Sequence, residues 1–296
     1  MELSNLIGSI RNISLNDRLS DDAVVALMNI HLSMMSMIFT GMSDAGYGSA
    51  EYHRDAVGKL FSLCRKRSTA NQSLLRCSRL TPVMYTALCL PDTVFDNRRH
   101  DACLSRSFRM ADKWRKQTDD MPLPSDRKSR MTEYGILQSL IGAFAYVVEE
   151  DKVSDPDFLY LKRRISEWAS EMNEDGSWSG ICDYEAIRRI DIMIGNSNSD
   201  SDTRFDMQIE RGLNCCFNKI TAARHIDCQT LFYLYRAMMF GIGISDIRKV
   251  DMLAEYAVRQ LDSYPHGSDE WLWYASVAVD RECEKINNNI KRQMLA

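Results

Sequence analysis

Glu167-Trp168-Ala169-Ser170-Glu171-Met172-Asn173-Glu174-Asp175-Gly176-Ser177-Trp178-Ser179-Gly180 reads as a helix end, a tight turn and the approach to a second helix. Trp168 sits on a helix that runs out at Asn173. Asp175 can bond its own backbone, and Gly176 can take a positive φ without a Cβ clash. The chain therefore reverses at Asp175-Gly176, and a new helix begins after Cys182-Asp183. Trp178 then caps the apolar seam between the two helices. The stretch is a helical hairpin pinned by two tryptophans.

The hairpin recurs. Helix ends followed by turns fall near Gln117, Glu171, Asn218 and Asp262, at intervals of roughly fifty residues, the length of one hairpin with its loops. Each leads into a helix with an aromatic or apolar start: Tyr134-Gly135-Ile136-Leu137, Tyr184-Glu185-Ala186-Ile187, Phe232-Tyr233-Leu234 and Trp271-Leu272-Trp273-Tyr274-Ala275. One helix of each pair is rich in small and apolar residues and the other carries more charge, as inner and outer helices of a ring require. No run of alternating strands is present. The pattern predicts an all-α protein, an α/α toroid with its ring complete or incomplete. An open stack of similar repeats is the rival architecture.

Local signals set the expected boundaries. Ser20 caps a helix that opens on Asp21-Asp22 and runs to Phe39. Pro82 is expected at the first position of a helix over Val83–Leu90, and Pro156 opens another. Further helices are expected over Thr132–Val148, Tyr184–Met193, Asp227–Phe240 and Trp271–Ile286, with Gly195–Thr203 as a loop and the tail from Asn287 frayed. Gln117–Arg130, with Met121-Pro122-Leu123-Pro124, is the clearest loop. The chain is taken as a single helical domain over residues 1–296, with 117–131 as the place where an internal boundary would fall.

Composition excludes several classes. The chain has 296 residues, 45% hydrophobic and 26% charged, with a formal net charge of −4, which describes a soluble protein and not a general nucleic-acid binder. The basic run Arg65-Lys66-Arg67 reads as a solvated helix end. Ala23–Phe39 is too short and too polar for a membrane span, and no secretory signal precedes it. The glycine-rich Gly41–Gly48 fits no phosphate-binding motif. Nine cysteines without a close-spaced framework point to reduced thiols and a cytoplasmic location. Nothing in the sequence sets the oligomeric state.

Asn173-Glu174-Asp175-Gly176-Ser177-Trp178-Ser179-Gly180 resembles the Q-x-x-D-G-S-W-G turn of the terpenoid cyclases and protein prenyltransferases. Asp175, Gly176, Ser177 and Trp178 match, and Asn173 stands near the glutamine position. The resemblance implies an α/α toroid that buries a prenyl chain. Glycan-degrading α/α toroids also use Asp-Gly-rich turns, so the motif speaks for a fold before a reaction. The chain departs from the family elsewhere. Asp200-Ser201-Asp202-Thr203 lacks the last aspartate of the alkene-protonating acid, and Asp92 and Asp96 lack the spacing of a magnesium-binding face. Arg98 and Arg99 are the residues placed to hold a diphosphate, though a solvated surface is the plainer account of them. His225, Asp227, Cys228 and His266 are the ligand types of the family's zinc site without its spacing. Asp227 is more simply an N-cap and Cys228 a buried thiol. Zinc and magnesium are thus the ions that the resemblance raises, and no cofactor or metal set is firmly implied.

Carboxylates gather at the expected starts of inner helices. Glu133, Asp183, Asp227 and Asp269 are the candidate catalytic residues, with Glu185 and Glu270 beside them. Trp178, Tyr184, Trp271 and Trp273 are the candidate substrate-binding faces. A pair of acids with flanking aromatics suits glycoside cleavage, although each acid also suits a helix first turn. Three functions follow: an enzyme acting on a prenyl or terpenoid substrate in a central cavity, a carbohydrate-active toroid using paired carboxylates, and a non-catalytic helical-repeat protein binding a small molecule or a protein.

Overall fold

The computed structural model describes residues 3–39, 48–69, 72–88, 97–118, 126–146, 155–199, 205–241 and 247–295. Every regular element among them is helical, so the all-α expectation holds. The helices are α1 (Leu3–Arg11), α2 (Asp21–Phe39), α3 (Ala50–Arg67), α4 (Leu74–Leu88), α5 (Asn97–Thr118), α6 (Arg127–Phe144), α7 (Pro156–Glu171), α8 (Asp183–Ser199), α9 (Asp206–Ala222), α10 (Cys228–Phe240), α11 (Ile247–Gln260) and α12 (Asp269–Leu295). None among the described residues is long and apolar enough to cross a membrane. The chain forms two compact units, residues 1–66 with 246–296, and residues 67–245. Those divisions fall outside 117–131, of which 119–125 lie beyond the described residues.

The first unit is built on α2 and α12, which run parallel. Ser20 caps α2 by accepting from the Ala23 N–H at 2.9 Å, and its hydroxyl donates to Asp269 Oδ1 at 2.6 Å. Further along, Ser33 donates to Asp280 Oδ1 at 2.5 Å, and Cys283 Sγ lies 3.6 Å from Met34 Sδ. α2 is apolar over most of its circumference, with Val24, Ala26, Leu27, Met28, Ile30 and Met34 fully buried, as expected of a helix enclosed by others. α11 packs on α12 with Arg281 Nε 2.9 Å from Asp251 Oδ1. α12 continues to Leu295 instead of fraying after Ile286.

Two buried histidines join α2 to α3. His31 Nδ1 and His53 Nδ1 stand 2.8 Å apart, so one donates and the other accepts. Protonating both would set two donors face to face. Burial, and then the neighbouring His53, pull the His31 pKa down from 6.5 to about 3. A folded-state pKa below the unfolded one gives stability that is full above pH 6.5 and lost as pH falls toward 3. The urea midpoint is therefore expected to fall progressively from pH 6.5 to pH 4. His31→Gln should flatten that slope. An unchanged slope in the variant would assign the acid sensitivity to other groups.

In the second unit α4, α6, α8 and α10 lie side by side in that order, with α5, α7 and α9 layered against them. All four inner helices point the same way. Gly135 meets Ser78 and Gly142 meets Tyr85 across α4–α6, Arg130 pairs with Glu185 and Ile141 meets Gly195 across α6–α8, and Arg188 stacks on Tyr233 across α8–α10. This is the alternation of inner and outer helices that an α/α toroid uses.

Three boundaries in this unit differ from expectation. α4 runs unbroken through Pro82, which does not open a helix. Proline has no N–H to give the Ser78 carbonyl one turn back, and α6 approaches at that place: a Cβ on Gly135 would lie 2.3 Å from Ser78 O. Gly135→Ala is expected to push the helices apart and cost about 2 kcal/mol, within the range for overpacking. A urea midpoint equal to wild type would mean that the approach is not tight. α6 begins at Arg127, capped by Asp126, whose carboxylate accepts from Ser129 N at 3.0 Å. α8 extends through Gly195 to Ser199 because Gly195 lets Ile141 pack against the helix.

Candidate functional site

The Asp-Gly-Ser-Trp turn is held from both sides. Ser177 donates through its N–H and its hydroxyl to Asp175 Oδ1 at 2.9 and 2.6 Å, and those bonds keep the Asp175 carboxyl below the usual range. Gly176 has φ +85°, and a Cβ there would sit 2.4 Å from the Arg211 carbonyl oxygen of α9. Trp178 donates from Nε1 to the Trp168 carbonyl at 2.7 Å. Arg189 lies over both rings, its Cζ 5.1 Å from the Trp168 centroid and 5.5 Å from that of Trp178, and its Nε donates to Tyr134 Oη at 3.1 Å. The motif thus serves to lock α7, α8 and α9 together.

Because the inner helices are parallel, the starts of α6, α8 and α10 lie at one end of the second unit. Glu185 sits there, gripped by Arg130 through Nε at 2.8 Å and Nη2 at 3.3 Å. Burial alone would raise the Glu185 pKa, but the bonds from Arg130 and from Cys182 outweigh it and hold the carboxyl below its ordinary value. Asp183 is the exposed first residue of α8. Asp227 is exposed and caps α10, accepting from Thr230 N at 2.9 Å and Thr230 Oγ1 at 3.0 Å. Asp269 belongs to the first unit, where it accepts from Ser20.

Glu133 is turned away from that end, into the outer layer. It is 2% exposed, and its two oxygens accept from Tyr160 Oη at 2.6 Å, Arg164 Nε at 2.8 Å and Arg164 Nη2 at 3.0 Å. Tyr160 in turn accepts from Trp114 Nε1 at 3.0 Å, and Arg164 also pairs with Glu167. Glu133 is therefore the anchor between α6 and α7, in place of the catalytic role expected of it. Trp178, Trp271 and Trp273 are core side chains, which differs from their expected role as ligand faces. Of the four aromatics only Tyr184 is half-buried, its ring 5.7 Å from that of Tyr233 in a T-shaped contact.

Below Tyr184, on the same face of α8, a polar cluster spans α6, α8 and α10. Arg188 lies with its Cζ 4.2 Å from the Tyr233 ring centroid and donates from Nη2 to Gln138 Oε1 at 2.6 Å. Gln138 donates to Asp191 Oδ2 at 2.7 Å, and Asp191 stands 3.9 Å from Arg188 Nη1. Burial works against the charge on Arg188, and Tyr233, Tyr184 and Asp191 outweigh it, so the guanidinium stays charged. Gln138, Tyr184, Asp191 and Tyr233 are half-buried, as are Gln229 and Arg236 further along α10. Gln138, Arg188, Asp191 and Tyr233 were not among the residues expected from sequence. Their signal is the spacing of Tyr184, Arg188 and Asp191, one turn apart on one face of an inner helix.

No group of three His, Cys, Asp or Glu side chains among the described residues is placed to hold a metal ion. His225 is exposed and Cys228 buried at the start of α10, while His266, in the first unit, stacks on Trp271 with centroids 4.3 Å apart. Asp92, Asp96 and Asp200–Thr203 lie outside the described residues, as do the side chains of Arg98 and Arg99. The described cysteines are free thiols, and burial pushes the Cys216 pKa up to about 12. No protein-family model, curated protein or solved structure matches the chain.

Proposed function

We propose that this chain is a binding protein for a small polar ligand of carbohydrate type, seated on the inner face of the second unit. One observation carries the reading: Gln138, Tyr184, Arg188, Asp191 and Tyr233 combine donors, acceptors and aromatic faces on three adjacent parallel helices. Sugars need this mixture, hydroxyl partners at the edge and a ring face to stack on.

The prenyl or terpenoid reading has less support. A prenyl chain calls for a deep apolar lining, and the half-buried side chains on this face are mostly polar. Hydrolysis of a glycoside calls for two carboxylates with free oxygens, and both Glu133 and Glu185 have theirs engaged. At that end Asp183 is exposed, while Asp227 accepts from Thr230 as the cap of α10. Binding is therefore the reading these side chains favour over cleavage.

Calorimetric titration with neutral oligosaccharides, acidic oligosaccharides and a prenyl diphosphate tests this. Saturable binding of a saccharide, weakened about tenfold or more by Tyr233→Ala through loss of a stacking face, is the expected result. Binding of the prenyl diphosphate alone would overturn it.

A further inference from the structure

The guanidinium of Arg188 is only partly matched. The side chain is 6% exposed, and among the described residues Nε and Nη1 have no hydrogen-bond acceptor. Only Nη2 is satisfied, by Gln138. Asp191 is 3.9 Å from Nη1, too far for a hydrogen bond, and its Oδ2 already accepts from Gln138. A buried guanidinium that keeps its charge yet leaves two nitrogens unmatched is costly. Such groups call for an explanation beyond packing.

The surroundings say what would match it. Arg236, one turn along α10 from Tyr233, is half-buried and makes no ion pair among the described residues. Two arginines and Asp191 leave this face one positive charge in excess. Arginine donors suit the oxygens of a carboxylate or a phosphate. Tyr184 lies one helical turn before Arg188 on the same face and packs against Tyr233, which stacks on the guanidinium.

We propose that Arg188 recognises an anionic substituent, a carboxylate or a phosphate, on the ligand of this face, with Tyr184 as the side chain that moves to admit it. The inference rests on the ligand-binding reading above and narrows it from polar ligands to acidic ones. Gln138 holds the guanidinium from the α6 side, Tyr233 supports its face from α10, and the free N–H groups supply the selectivity.

The test is a titration of the full chain with four probes: glucose, glucuronate, glucose 6-phosphate and inorganic phosphate. Glucuronate or glucose 6-phosphate is expected to bind at least tenfold tighter than glucose. Arg188→Met, close in length and uncharged, should abolish that preference, so that glucose, glucuronate and glucose 6-phosphate bind the variant with equal affinity. Tyr184→Ala should retain the preference. If Arg188→Met fails to give a cooperative melt, Arg188→Lys takes its place and is expected to reduce the preference without removing it, because lysine keeps the charge and loses the planar fork. The glucuronate and glucose 6-phosphate arms separate carboxylate from phosphate, and displacement by inorganic phosphate assigns the latter. Equal binding of glucose and both acids, or a preference unchanged in the Arg188 variant, overturns the inference and leaves the ligand-binding reading in place. Failure of all the probes overturns both.

Discussion

Replacing Gly176 by alanine is expected to lower the stability of the second unit by about 2–5 kcal/mol. Two effects add. A side chain at φ +85° costs about 1–2 kcal/mol in the left-handed region. The new Cβ would also stand 2.4 Å from Arg211 O and 2.9 Å from Gly212 N, where the neighbour is helix backbone and cannot swing aside, adding about 1–3 kcal/mol. Gly180 supplies the control. Its φ is +72° but nothing lies within 4 Å of its Cβ position, so Gly180→Ala should lose only the conformational part, about 1–2 kcal/mol. Urea unfolding of the two variants, followed by far-ultraviolet circular dichroism, measures the difference. Equal losses would mean that the turn does not grip α9.

Removing the charge of Glu133 is the second large effect, about 3–5 kcal/mol for Glu133→Gln. The loss comes less from the missing attraction than from Arg164, which is 4% exposed and would keep its charge in the core without its main partner. That account makes a stricter claim about the pair. Glu133→Leu with Arg164→Met should destabilise less than Glu133→Gln alone, since an apolar pair leaves no buried charge behind. Tyr160→Phe removes a single donor to the carboxylate and should cost about 1 kcal/mol. A double variant as unstable as the sum of its singles would show that the ion pair acts as two independent groups.

What the sequence could tell followed from how local each signal is. The Asp175-Gly176 turn, the Asp227 cap and the Pro156 helix start are decided by neighbours within four residues, and each stands where the pattern put it. Pro82 was misread because its helix-opening signal is local while its actual role is not: the helix tolerates it where α6 comes close at Gly135. The candidate acids show the same limit. Periodicity placed Glu133 near an inner helix start, but which way a side chain turns depends on Arg164 and Tyr160, some thirty residues on. The tryptophans at 178, 271 and 273 were large enough to serve as ligand faces and were needed instead as core. Arg188 escaped notice for the opposite reason, since an arginine on a helix reads as solvated until the neighbouring inner helices are seen to enclose it.

The pairing of α2 with α12 bears on how this chain is made. The first unit consists of the two ends of the sequence, with residues 67–245 inserted between them. A nascent chain that has produced α2 must carry its largely apolar surface until α12 emerges. At ~5–20 residues per second, the intervening two hundred or so residues take roughly 10–50 s. During that interval the inserted unit is free to fold, whereas α2 lacks the helix that covers it. Synthesis thus orders assembly from the inside outward, and the vulnerable species is a ribosome-bound chain whose second unit is finished and whose first is not. A host that overproduces this protein would meet its aggregation there.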